Sequence, residues 1–459
     1  MSDSGNLIPH PVEATAVRGK RFGVAFGRRF FLLLIMGVAW LGPAFLEPRF
    51  VYAMFAWDAL AIIAWIIDLA ALPPPSQLKV RRSWHAPPAL SVSSEIELTL
   101  INVSRALVHA TILDTIPPQL RSAPPELEIS AAPQNEGSAM YTLRPLRRGE
   151  AKLGDAYLRY QSSFRLAERW AKVPLAQSVH VYPNLDEAKR HAIYLLRSRQ
   201  IDLEKRHTRV RGIGREFESL REYREGDEYR DICWTAAARR GKPVTRVYQV
   251  ERSQTIWIVM DSGRLMRARI GELSKLDYAA NAALSLAQVA LYSGDRVGLV
   301  AYGRGIRHRL PAARGSAHLR LMIEQLAMVR EETAEGDHLQ IASRLLTDQK
   351  RRCLVVWLTD LAETAMTPEV IEAASLMMPR HLVLFVVIGQ PDLAQLAARK
   401  PTGADEMFQV AAAQEMVHRR ELLLARLRER GALAVEVNSS SISTVLVNSY
   451  LKIKERNQL

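Results

Sequence analysis

TIWIVMDSGRL, residues Thr255–Leu265, decides the fold. Ile256 to Met260 are apolar without interruption, and the run is too short for a helix. A run of that kind is a strand buried on both faces. It stops abruptly at Asp261. The same habit returns in DRVGLVAYG (Asp295–Gly303), CLVVWLTD (Cys353–Asp360), HLVLFVVIG (His381–Gly389) and LAVEV (Leu433–Val437). Amphipathic helices are predicted between them, near 275–293, 316–331, 337–349, 368–378 and 405–430, with a closing helix near 440–456. Buried strands alternating with helices specify an α/β domain over residues 253–459, a doubly wound, mostly parallel sheet. In such sheets the ligand crevice lies at the C-terminal strand ends. That singles out Asp261 with Ser262, and Asp360, as candidate site residues.

Upstream, the pattern changes. Two apolar runs, Phe30–Leu46 and Phe50–Leu72, are separated only by Glu47, Pro48 and Arg49. The first is close to the lower limit of about 17 residues for a bilayer span and the second is ample. They are expected to form a transmembrane helical hairpin over 30–72. Arg18, Lys20, Arg21, Arg28 and Arg29 precede it, in a basic tail over 1–29, and Lys79, Arg81 and Arg82 follow it. The positive-inside rule then places both termini in the cytoplasm. Asp58 and Asp68 lie inside the second run, Asp68 near enough to its end to reach headgroups. Intramembrane carboxylates are functional candidates, and a helix-contact role for Asp58 is favoured over an ion pathway because two helices make a poor pore.

Prolines 73–75 make a stiff linker. From 77 to 184, short segments alternate with period two, as in SEIELTLINVS (Ser94–Ser104), and turn residues separate them. That spacing predicts a small β-sandwich domain. Residues 185–252 are read as a helix, to about Val210, followed by a polar linker from Gly212 to Glu251.

The chain has 459 residues, 48% of them hydrophobic and 24% charged, which excludes collagenous or largely disordered classes. Two cysteines, Cys233 and Cys353, cannot form a disulfide framework and fit a reducing compartment. Sixty-two Lys+Arg against 48 Asp+Glu give +14, favouring anionic or acidic partners. Aromatics are only 7% and no RNA-binding signature occurs, so nucleic acid is not an expected partner. No phosphate-binding loop with G-x-x-x-x-G-K-[ST] spacing, no dinucleotide fingerprint around Gly212 and Gly214, and no H-E-x-x-H motif is present. Cys233 with His207 is a loose nucleophile–base pair without an orienting third group.

The α/β domain resembles a von Willebrand factor A domain. That family's metal-ion-dependent adhesion site carries Asp-x-Ser-x-Ser after the first strand, a threonine from a later loop and an aspartate after the fourth strand. Here Asp261 and Asp360 match, but Gly263 and Leu265 replace both serines, and Glu335-Gly336-Asp337-His338 supplies no threonine. The resemblance therefore implies a degenerate site, with no cofactor beyond weak Mg²⁺ at Asp261 and Asp360, and with Arg264 placing charge where the metal would sit.

The linker narrows the resemblance. Glu216-Phe217, Leu220 to Tyr223, Gly226-Asp227, Arg230, Ile232, Trp234 and Ala238-Arg239 resemble the signature of the bacterial domain-of-unknown-function 58 (YeaD-like) family. Tyr141 to Gly149 resembles the end of that family's β-domain, while Cys233 departs from its usual Asp. The likeness implies a protein of the bacterial inner membrane, anchored by paired helices and partnered by a MoxR-type AAA+ ATPase. Its role would be that of a non-enzymatic adaptor in assembly or maturation of other complexes. Arg221, Tyr223, Gly226, Asp227, Arg230, Trp234 and Arg239 then serve either as a buried ion network fixing the linker or as a docking surface for an acidic partner. Two alternatives stand beside the adaptor. One is a membrane-associated hydrolase using Asp227, Cys233 or His207. The other is an anionic-lipid module using Arg147, Arg148 and the arginines of 206–215.

Overall fold

A computed structural model describes residues 7–19, 23–184, 186, 216–224, 229, 232–249, 254–361 and 369–456. The chain divides into two compact units, Met1–Asn184 and Leu185–Leu459.

The first unit opens with three short strands, β1 (Val12–Thr15), β2 (Val17–Arg18) and β3 (Val24–Phe26). Three helices follow, α1 (Arg28–Val38), α2 (Leu41–Ala44) and α3 (Phe50–Ala71). Then come β4 (Leu78–Trp84), β5 (Ser94–Asn102), β6 (Val108–Asp114), β7 (Glu126–Ala131) and β8 (Glu136–Leu143). The unit closes with β9 (Gly149–Leu153), β10 (Ala156–Gln161), β11 (Ala167–Val173) and β12 (Gln177–Val181). One sheet has the order β1-β4-β5-β8, a second β2-β11-β10-β6-β7 with β3 also on β11, and β9 pairs with β12. Strict alternation, as in β4, turns Leu78, Val80, Arg82 and Trp84 inward. The sheets enclose one apolar core that includes Leu78, Val80, Leu98, Leu100, Ile112 and Leu158.

Three sequence expectations change here. Residues 12–18 and 24–26, read as part of a basic tail, are strands of this unit, and Glu13 in β1 pairs with Arg81 at 2.8 Å and Lys79 at 3.4 Å. Arg82, counted among the charges flanking the hairpin, is buried at the domain centre against Asp114, with further bonds to the Leu175 carbonyl at 2.7 Å and the Gly154 carbonyl at 3.1 Å. The Tyr141 hydroxyl donates to Asp114 at 2.7 Å, and burial pushes that phenol far above its ordinary pKa. Finally, Phe30–Leu46 is not one helix. Pro43 lacks the N–H that would bond the Ala39 carbonyl, and tight i→i−3 bonds at Ala39, Trp40 and Gly42 divide α1 from α2. The 22-residue α3, about 33 Å at 1.5 Å per residue, is long and apolar enough to cross a bilayer. Helix α1 lies antiparallel against it: Phe30 is near Trp65, and Trp57 donates to the Leu33 carbonyl at 2.9 Å.

The second unit begins with β13 (Glu216–Glu222), α4 (Trp234–Arg240) and β14 (Val244–Gln249). The central sheet starts at β15 (Thr255–Asp261), and a small ladder, β16 (Arg269–Ile270) with β17 (Leu273–Ser274), leads into α5 (Lys275–Tyr292). Next are β18 (Arg296–Tyr302), β19 (Ile306–Ala313), α6 (Ser316–Met328), α7 (His338–Asp348), β20 (Leu354–Thr359) and α8 (Glu369–Met377). The chain ends with β21 (Leu382–Ile388), α9 (Pro391–Ala397), α10 (Ala404–Glu429), β22 (Leu433–Val437) and α11 (Ile442–Glu455). The sheet order is β19-β18-β15-β20-β21-β22, parallel throughout except for β19 at one edge. Trp257, Val259, Val355, Trp357 and Phe385 pack on α7, α8 and α10. The intervening residues, among them Ile256, Ile258 and Val356, are buried on the opposite face, where α5 packs on β15 and β18 and α11 packs on α5. The predicted helix over 185–210 lies outside the described residues.

Candidate functional site

Parallel pairing of β15 with β18 and β20 brings Asp261, Tyr302 and Thr359 to one end of the sheet. There both oxygens of the Asp261 carboxylate are engaged. One oxygen accepts the Gly263 N–H at 2.7 Å and the other accepts the Thr359 hydroxyl at 2.7 Å. Burial raises its pKa, with the nearby His338 acting in the opposite sense. The space above Asp261 is closed by backbone. A Cβ at Gly336 would come within 2.8 Å of its oxygen, and one at Gly263 within 2.8 Å of the Gly336 nitrogen, so both positions require glycine. The loop is held by the Arg264 N–H on the Ala334 carbonyl at 2.9 Å and the Glu332 N–H on the Ser262 carbonyl at 2.7 Å.

Asp360 is equally occupied. Lys275 Nζ lies 2.5 Å from one oxygen and Arg420 Nη2 3.2 Å from the other, and Arg420 Nη1 reaches Glu436 at 2.7 Å. Lys275, Asp360 and Arg420 are all buried. The compensating cation at the strand ends is thus the Lys275 ammonium. The Ser262 hydroxyl donates to the Tyr302 carbonyl at 2.8 Å. Arg264, expected in the metal position, instead forms an exposed pair with Glu335 at 3.0 Å. The weak Mg²⁺ site expected at Asp261 and Asp360 does not fit this donor set: an incoming ion would have to displace the buried Lys275. Among the described residues no group of three or more His, Cys, Asp or Glu is arranged to hold a metal.

Next to Asp261 runs a chain of buried polar rings. Trp357 Nε1 donates to the Tyr302 hydroxyl at 2.6 Å, which leaves that hydroxyl to donate to His338 Nδ1 at 2.6 Å. Burial pushes the Tyr302 phenol well up and the His338 imidazole down. Lys275 carried a sequence signal that was missed. A lysine at the first position of a helix opposes the helix dipole, so it needs a compensating anion. Arg420, midway along α10, carried none.

The signature segment forms a small hairpin. β13 pairs antiparallel with β14, and the Cys233 N–H donates to the Val244 carbonyl at 2.8 Å at the start of α4. Tyr223 stacks on Tyr229 with ring centroids 6.0 Å apart. Arg221 is half-buried, donating to the Glu222 carbonyl at 3.2 Å, and Arg239 is exposed. Neither Arg221 nor Arg239 is fully buried. Trp234 is 69% and Tyr229 77% exposed. Gly226, Asp227, Arg230 and His207 lie outside the described residues. Cys233 is buried, with its sulfur 3.4 Å from the Thr235 hydroxyl, and Cys353 is a core residue whose thiol burial raises to about 12.

Asp58 faces α1, where Gly37 provides the clearance: a Cβ there would lie 2.7 Å from the carboxylate. Asp68, expected to reach headgroups, is buried and accepts the Ser162 hydroxyl and the N–H groups of Leu166 at 2.9 Å and Ala167 at 2.8 Å. Unpaired amides at the start of β11 attract it more strongly than solvent does.

The fold and site together define a parallel α/β domain with a charge-filled crevice, preceded by a hairpin bearing exposed aromatic residues. Residues 219–417 match the family described as "Protein of unknown function DUF58". It is similar to uncharacterized proteins of Mycobacterium tuberculosis (Rv1480) and Mycobacterium bovis (Mb1516), 26% identical over 153 residues, 33% of this chain and 48% of each of theirs. The match thus spans about half the length of these curated relatives. Among solved structures it is similar to the conserved hypothetical protein BatB of Bacteroides thetaiotaomicron, at 16% identity and a TM-score of 0.29 over 44% of this chain and 100% of that one. It is also similar to an uncharacterized membrane-spanning protein of Vibrio fischeri, at 17% identity and a TM-score of 0.16 over 43% of this chain and 96% of that one.

Proposed function

We propose that the chain is an adaptor anchored in the bacterial inner membrane, in which residues 30–72, carrying α1, α2 and α3, form a membrane hairpin with both termini cytoplasmic. The second unit, a von Willebrand factor A-like module, binds a MoxR-type AAA+ ATPase that acts in the assembly or maturation of other complexes. The observation that carries this reading is the exposure of Trp234, Tyr229 and Arg239 in the signature hairpin. Tryptophan, tyrosine and arginine dominate the energetics of protein interfaces, and a folded domain gains nothing by presenting large rings to water. The filled crevice agrees with it, since its carboxylates are engaged within the fold by Lys275, Arg420, Thr359 and the Gly263 N–H.

Crosslinking and co-purification from solubilised membranes, with nucleotide present, tests the proposal. An AAA+ ATPase should be recovered with the natural chain and lost with Trp234→Ala/Arg239→Ala at unchanged thermal stability. Recovery of no ATPase, or equal recovery with the variant, would sink it.

A further inference from the structure

The turn between β10 and β11, residues 162–166, is gripped by both long helices. Asp68, in the last turn of α3, accepts the Ser162 hydroxyl and two backbone N–H groups at Leu166 and Ala167. From the other side, the Gly27 N–H donates to the Leu166 carbonyl at 2.7 Å and Arg29 Nη1 to the Phe164 carbonyl at 3.4 Å. A side chain at Gly27 would collide with the Arg165 carbonyl, so only glycine permits this approach.

The order of contacts orients the turn. Along α3, Trp65 meets the Phe26 ring at 4.6 Å, and one turn later Asp68 binds residues 162–167. The Leu69 carbonyl then accepts from Arg169 at 3.0 Å and the Pro73 carbonyl from the Tyr160 hydroxyl at 2.8 Å. As the chain leaves the apolar helix, its contacts move from the tip of the turn into the strands. The tip is therefore on the helix side of the β unit. There Phe164 is 70% exposed, and Arg28, Arg29 and Arg165 are exposed around it. Phe26 stacks on both Phe30 and Trp65, with centroids 4.6 Å apart in each pair. Aromatic rings beside arginines at the end of an apolar helix have the composition of a bilayer interface.

We propose that the β10–β11 turn is a lipid-contacting foot. Phe164 sits among the headgroups of the leaflet through which α3 leaves the bilayer, and Arg28, Arg29 and Arg165 pair with the phosphates of anionic phospholipid. The assignment rests on the membrane anchoring proposed above. Its occupant is a bilayer lipid, because the three charges and the exposed ring lie together on one side of the apolar helices.

The full chain in nanodiscs of mixed phosphatidylcholine and phosphatidylglycerol tests it. Nitroxides are placed one at a time at Ser163→Cys, Ile63→Cys and Glu126→Cys; both native cysteines are buried. The label at 163 should show a several-fold loss of nickel-chelate accessibility relative to 126 and read headgroup depth, with the label at 63 in hydrocarbon. In addition, Arg28→Gln/Arg29→Gln/Arg165→Gln should lower selectivity for spin-labelled phosphatidylglycerol over phosphatidylcholine, by about fivefold for each charge. A label at 163 as accessible as at 126, with 63 immersed, overturns the foot and leaves the anchoring intact. An aqueous label at 63 overturns both. Unchanged lipid selectivity in the triple variant overturns the phosphate pairing.

Discussion

Lys275 stands where a cation is needed, and its pairing with Asp360 is the reason it can be buried. Removing one member of a buried pair leaves the other uncompensated, at a cost of about 3–5 kcal/mol. Lys275→Met should therefore destabilise the chain by that amount in urea unfolding, because Asp360 loses its ammonium partner. Lys275→Met/Asp360→Leu should recover most of the loss, because Arg420 keeps Glu436 at 2.7 Å. Calorimetric titration of Mg²⁺ into the natural chain should show no micromolar site; such a site, abolished by Asp261→Ala, would contradict the assignment of Lys275. His338 sets a pH dependence. Burial holds its folded pKa below the ordinary 6.5, so its contribution to stability is complete above that value and is lost as pH falls from there toward the folded pKa. Asp261, raised by burial, works the other way: its contribution is complete below 3.8 and is lost as pH rises through the folded value. Between about pH 7.5 and 5.5, His338→Gln should thus lose less stability on acidification than the natural chain, measured by urea midpoints. Equal slopes would exclude His338 as the titrating group. The positions of Asp261 and Asp360 were legible because each ends an apolar strand. Their partners were not, because Arg420 reaches Asp360 from another helix, at a distance in sequence that no local pattern encodes.

At the level of elements, the parallel strands were readable because burial on both faces leaves an unbroken apolar run. The edge strand β19 was not. It reads IRHRLPAA, with Arg307 and Arg309 outward and Pro311 inside it, which only an edge strand tolerates. The strands in residues 12–26 were hidden by their brevity and by the arginines around them. Length suggested one unbroken helix for Phe30–Leu46, and Pro43 with the tight bonds before it divides the segment into α1 and α2. The join of α3 to β11 gives a sharp test. Asp68→Ala leaves the amides of Leu166 and Ala167 without their acceptor, a loss of about 3 kcal/mol for charge-assisted bonds. Hydrogen exchange should show protection at these two amides falling by about a hundredfold, while Ile112 in β6 keeps its own. Unchanged protection would mean that the carboxylate merely lies nearby.

For the whole molecule, the proposed topology makes a prediction independent of partners. Reporter fusions at Ser76 and at the C-terminus should both report cytoplasm, since Arg28 and Arg29 precede the apolar helices while Arg49 is paired with Glu47 at 3.9 Å. A periplasmic signal at either position would overturn the orientation. Arg82, withdrawn into the β unit, no longer counts toward that bias, so the rule acts through fewer charges than the sequence suggests. The Asp68 clamp has a mechanical meaning as well. The hydroxyl and the two N–H groups that it binds belong to a turn and strand fixed in register with β10 and β3. A pull on the β unit along the exit path would load those bonds in shear, together rather than one after another. Force would then pass to the backbone of α3 without first unzipping a hairpin. A load on the β unit would thus reach the end of α3 through these bonds and the connecting backbone at once.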